Sequence, residues 1–141
     1  MNEQELLQFV RAKEDEIRAQ RFESAFFWDW QGNLLLSKDG EPTSVQFTDE
    51  EIALVQGAIS MHNHPYGWNF SARDPRRAGY SFSEFDVQSA CQASLAILRI
   101  VTPQFRYMMK PPPQGWGLDY WENVLQLEYQ QTYKKLFEKW R

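Results

Sequence analysis

The stretch Gly57-Ala58-Ile59-Ser60-Met61-His62-Asn63-His64-Pro65 constrains this chain more than any other. A short apolar run leads into two histidines one residue apart, and a proline follows. In an extended strand, residues i and i+2 project to the same side. His62 and His64 can therefore present two imidazoles to one point while Asn63 faces away. Neutral imidazole is the commonest side-chain metal ligand, and zinc sites readily take two of them. The competing reading is a polar strand end that binds nothing.

The chain has no other histidine and one cysteine, Cys91, which excludes an internal disulfide and a cysteine-rich zinc site. On the helix expected around it, Cys91 reads as a small buried residue rather than a nucleophile. With 141 residues the chain is read as a single domain, 1–141, able to bury a real core. Aromatic residues make up 16%, six of them tryptophan, which implies a bulky core and some aromatic surface for a partner or substrate. A net charge of −4 argues against nucleic-acid binding, which normally needs a basic face. No apolar run approaches the roughly 20 residues of a membrane span. The acidic N-terminus does not resemble a signal peptide, so the expected setting is cytoplasmic.

Taken in order, residues 2–21 carry a helical stripe through Leu6, Val10 and Ile17. Residues 22–30 have strand composition, Gln31-Gly32-Asn33 is a turn, and residues 33–37 return as a second strand. After a turn at 38–42, Ser44-Val45-Gln46-Phe47 is expected as a short third strand. Thr48 and Glu51 form a capping box for a helix that Gly57 ends. Ala58 to Met61 is the strand that delivers the histidines. Residues 65–82 read as a long loop rich in aromatics and arginines, a composition suited to packing, to a lid or to an acidic ligand. Ser83 is the expected N-cap of a helix running to about Ile100, and residues 104–109 alternate as a further strand. Beyond the prolines at 111–113, Leu118, Trp121, Leu125, Tyr129, Leu136 and Trp140 follow helical spacing. That C-terminal helix would pack on the core, on a second copy or on a partner.

Two histidines leave a metal ion short of ligands, because a catalytic zinc typically takes three protein ligands and keeps one position for water. A carboxylate from the segment after the strand would complete the set, and Asp74 and Asp86 are the candidates. Both stand in a Phe-Ser-x-x-Asp phrase, at 70–74 and 82–86. Asp86 is preferred because it sits one turn into a helix whose start is fixed by Ser83, whereas Asp74 lies in a loop before Pro75.

His62-Asn63-His64-Pro65 followed by Ser83-Glu84-Phe85-Asp86 resembles the signature of the JAB/MPN (JAMM) metallopeptidases, Glu … His-x-His-Pro … Ser-x-x-Asp. The His-Asn-His-Pro wording is also similar to RadC-like proteins and to JAB-type domains of phage and bacterial toxin proteins. The resemblance covers residues 22–109, with 66–82 as an insertion and 110–141 as a helical extension. It implies an α/β (α+β) fold of the JAB/MPN or cytidine deaminase-like type, a mixed sheet flanked by helices with helices added at both ends. It further implies Zn2+ held by His62, His64 and Asp86, Ser83 as a hydrogen-bonding helper and Glu23 as the catalytic base. The implied activity is hydrolysis of a peptide or isopeptide bond, with a protein or peptide such as a ubiquitin-like tail as substrate. A non-catalytic assembly module on the same fold, or a zinc hydrolase of another amide, is the alternative.

Overall fold

The computed structural model describes residues 1–42, 44–113 and 115–116. Helix α1 spans Glu3–Ile17, capped by the Asn2 side chain, which accepts the Glu5 N–H. It stops short of the expected residue 21 because the Trp68 indole takes the Arg18 carbonyl at 2.9 Å and the chain turns. Strand β1 (Ser24–Trp28) pairs antiparallel with β2 (Leu34–Asp39). Between them Asp29 accepts the N–H groups of Gln31 and Asn33, and Gly32 adopts φ +85°. The third strand expected at Ser44–Phe47 does not form. No described strand pairs with this segment, and it instead lays Val45 and Phe47 on the core, with the Phe47 ring edge-on to Phe27. The Thr48–Glu51 capping box does start a helix, α2 (Asp49–Leu54).

Strand β3 (Ile59–Asn63) lies at the centre of a five-stranded mixed sheet of order β2-β1-β3-β4-β5. It runs antiparallel to β1 and parallel to β4 (Ile97–Val101), which pairs antiparallel with β5 (Arg106–Met109). Helix α3 spans Glu84–Ala93 only. The expected continuation to Ile100 is overturned at Ser94, whose left-handed conformation (φ 47°) closes the helix. The residues that follow are β4, buried along its whole length. A strand buried on both faces reads as a continuous apolar run, which periodicity cannot tell from a buried helix.

The β3-to-α3 connection is an ordered wrap, not a structureless loop. It contains two short 3-10 helices, Pro65–Asn69 and Pro75–Ala78. Trp68 is held between the guanidinium groups of Arg21 and Arg77, at 4.7 and 4.3 Å. Gly79, at φ +84°, lets the backbone lie against Thr102, where a Cβ would come within 2.7 Å of its side chain. The C-terminal helix expected from 118 onwards lies outside the described residues. Among the described residues no helix is long and apolar enough to cross a membrane.

The sheet has an apolar layer on each face. On one, Trp28, Ile59, Met61, Ile97 and Val101 meet Leu6, Val10 and Ile17 of α1. On the other, Ala25, Phe27, Leu98 and Ile100 meet Val87, Ala90 and Cys91 of α3 and Val55 after α2. The α1 layer also encloses a charge pair. Glu14 is fully buried, and its carboxylate accepts from Arg99 at 2.9 and 3.1 Å and from Arg106 at 3.2 Å. Removing one member of a buried pair strands the other in a low dielectric. Glu14→Ala is expected to lower unfolding free energy by roughly 3–5 kcal/mol in urea titration; a loss below about 1 kcal/mol, the range of surface pairs, would show that the network is not sealed from water.

Candidate metal centre

The two histidines leave β3 on its α3 face, as period-two alternation requires. Their Nε2 atoms stand 3.0 Å apart. Asp86 reaches them from α3, with Oδ1 at 3.0 Å from His62 Nε2 and Oδ2 at 3.2 Å from His64 Nε2. The carboxylate is aimed by the helix start itself. Ser83 Oγ accepts the Asp86 N–H, and Asp86 Oδ2 accepts the Ser83 N–H at 2.7 Å, a reciprocal capping box. One short motif thus opens the helix and fixes the direction of a carboxylate. The His64 ring is oriented from behind, since its Nδ1 donates to the Tyr80 carbonyl at 2.9 Å. That leaves Nε2 as the atom with a lone pair to offer, the arrangement usual for histidine ligands.

His62, His64 and Asp86 can hold a metal ion. Ligands at about 2.0–2.1 Å from an ion at the centre of a tetrahedron stand about 3.3 Å apart; the two Nε2 atoms at 3.0 Å are within a few tenths of that, Asp86 faces each with a different oxygen, and one ligand atom from each residue lies within 4.8 Å of the others. Two imidazoles and a carboxylate suit several transition metals, so the donor set does not name the ion.

Glu23 and Asn63 form the next layer. Glu23 precedes β1, is buried, and places Oε1 3.9 Å from His64 Nε2. Its own backbone is tied to the far side of the hairpin, N–H to the Glu41 carbonyl and C=O to the Gly40 N–H. Asn63, between the histidines but on the opposite face, brackets it. The Asn63 Oδ1 accepts the Ser24 N–H at 2.7 Å and Nδ2 donates to the Phe22 carbonyl at 2.9 Å. The residues on both sides of Glu23 are therefore pinned to the strand that carries the ligands. Asn63 and Tyr80 are the contributors that the motif does not reveal: the His-x-His spacing says only that Asn63 faces away, and Tyr80 acts through its backbone.

Asp74, the other carboxylate considered, stands apart. It caps the second 3-10 helix and is bound twice by the Arg76 side chain, at 2.7 and 3.1 Å, so its acid is held below its ordinary value by that partner. Cys91 is buried on α3, where burial pushes its thiol up and away from the reactive thiolate.

Charges inside this cluster shape each other. Burial by itself would raise the Asp86 carboxyl, yet the facing histidines hold it well below the usual carboxylate range. Burial by itself would lower His64, but the charge and hydrogen bond of Asp86, with the Tyr80 carbonyl and Glu23, push it up to about 9. Burial raises the Glu23 carboxyl above its ordinary value, against the pull of His62 and His64. These four groups and Ser83 line one cavity of about 660 Å³. Comparison with protein-family models, curated proteins and solved structures finds no match.

A proton and a metal ion compete for the same lone pair on His64. Calorimetry at pH 7 in buffers of different ionisation enthalpy should therefore show about one proton released per Zn2+ bound, with affinity falling as pH drops below about 9. The metal-free protein should run the other way. Its His64 holds a proton more tightly folded than unfolded, so stability should decline as pH rises from 6.5 through about 9. Binding without proton release would contradict the electrostatics.

Proposed function

We propose that the chain is a zinc-dependent hydrolase of the JAB/MPN type, cleaving a peptide or isopeptide bond of a protein or peptide substrate. His62, His64 and Asp86 are its ligands, Glu23 its general base and Ser83 its oxyanion helper. One observation carries this reading. Two imidazole nitrogens 3.0 Å apart face the Asp86 carboxylate, whose two oxygens lie 3.0 and 3.2 Å from them, and a fourth group, the buried Glu23 carboxylate, stands 3.9 Å from His64 Nε2 in the wall of the same cavity. A structural site would have no use for that fourth group. The family signature gives these five residues the same order along the chain.

Zinc held by this set supplies a Lewis acid that brings the pKa of a water to around 7 and polarises a carbonyl. The remaining chemistry belongs to the side chains. Glu23, raised by burial, accepts a proton from the attacking water and delivers it to the leaving amine. A base whose pKa moves towards neutrality serves both steps, because its conjugate acid is strong enough to protonate nitrogen and its anion is still populated. The Ser83 hydroxyl oxygen is engaged by the Asp86 N–H, so its own proton is free to be donated to a developing oxyanion. Asn63 keeps Glu23 at its post, and one face of the sheet and α3 wall the site.

Protein purified without added metal should contain about one zinc per chain by elemental analysis, a ratio that His62→Ala combined with His64→Ala abolishes. Glu23→Gln should keep the zinc and lower turnover of a cleaved peptide by about a hundredfold or more. Iron in place of zinc, or an unchanged rate in Glu23→Gln, would contradict the assignment.

A further inference from the structure

The cavity that holds the four ionisable groups extends well past them. Along β1, Glu23, Ala25 and Phe27 share one face; along β3, Ser60 precedes His62 and His64 on the same face. Cross-strand pairing sets Ala25 beside His62, and Phe27 and Leu98 on either side of Ser60. One step of two residues back along β3, about 7 Å, therefore carries the floor of the cavity from metal ligands to phenylalanine and leucine. The roof changes in the same direction. Asp86 and Ser83 lie over the histidines, whereas Val45, Phe47 and Ile52 line the far part together with Leu95. One cavity of about 660 Å³ thus runs from the polar triad to a part walled largely by apolar side chains, with Ser60, Ser89 and Gln92 also in its lining.

We propose that the apolar compartment is a specificity subsite that takes a bulky apolar side chain, aromatic or branched aliphatic, next to the bond that is cleaved in a polypeptide substrate. This rests on the hydrolase reading above and narrows its substrate. A tail ending in small residues would leave the half-buried Val45, Phe47 and Ile52 in contact with water above the already buried Phe27, Leu95 and Leu98, whereas a large side chain covers them and gains its own transfer free energy. The whole cavity, triad included, falls in the range of pockets that enclose small ligands, about 300–1,000 Å³. Residues 44–47 are what cover the compartment from above. Their failure to pair as a strand leaves Val45 and Phe47 free to form the roof instead of extending the sheet.

The test uses zinc-loaded protein and hydroxamates, which bind metal whether or not a substrate is known. The hydroxamate of acetyl-phenylalanine is compared with that of acetyl-glycine, and 2-benzylsuccinyl hydroxamate with succinyl hydroxamate, so that the ring is offered from either side of the metal. Burial of one large apolar side chain should tighten binding by about tenfold to a hundredfold in at least one of the two pairs. Filling the compartment with Ser89→Phe on α3 should reduce that preference below about threefold while zinc stays bound at one per chain. Val45→Trp in the roof should do the same and serves if the first variant does not fold. Zinc binding with no preference in either pair, or a preference that survives both substitutions, overturns the subsite and leaves the hydrolase reading standing. A chain that takes up no zinc overturns the hydrolase reading and this inference with it.

Discussion

Alternation along β3 sends His62 and His64 towards α3 and turns Asn63 towards α1, and most of the molecule follows from that split. On the first side the two imidazoles meet a carboxylate that the start of α3 aims at them. On the other, the Asn63 amide holds Phe22 and Ser24, and so fixes the residue between them. The pairing with β1 and β4 buries all five residues of the strand, so its register cannot slip by one without exchanging the faces of every side chain. A slip would send the histidines into the α1 layer and expose the amide to the cavity. The fold and the site are therefore specified by the same hydrogen bonds.

Concentrating ionisable groups in this way is costly. Glu23, His62 and His64 are buried and Asp86 is nearly so, and charges taken out of water lose several kcal/mol each unless they are compensated. Two carboxylates facing two neutral imidazoles leave an excess of negative charge, which a proton on His64 partly offsets and a divalent cation would offset fully. The upward push on His64 and the downward hold on Asp86 are two sides of that single imbalance. The network on the opposite face differs in kind: Glu14 and Asp15 answer Arg99 and Arg106 within the chain itself.

Much of this was legible in the sequence, for identifiable reasons. The His-x-His spacing works because strand geometry has a fixed period, and the Ser83–Asp86 spacing works because a capping box has a fixed reach. Both are local rules, and both hold. Asp86 stands on a rigid helix start, whereas Asp74 finds its partner two residues away in Arg76. What escaped was non-local. Strand β4 is hidden because burial on both faces erases its alternation. The segment 44–47 has strand composition but no described partner to pair with. The role of Asn63 depends on residues about 40 positions earlier, and the role of Tyr80 on a backbone carbonyl, which has no residue signature at all.

On the hydrolase proposal one metal ion sits among His62, His64 and Asp86 with Glu23 just beyond its ligands. Crystals of the zinc-loaded protein, measured on both sides of the zinc absorption edge, test it most directly. A single anomalous peak is expected about 2.0–2.2 Å from His62 Nε2, His64 Nε2 and an Asp86 oxygen, with the Glu23 carboxylate near but unbound. A peak at Asp74, or none at the histidines in protein that carries zinc, would contradict it.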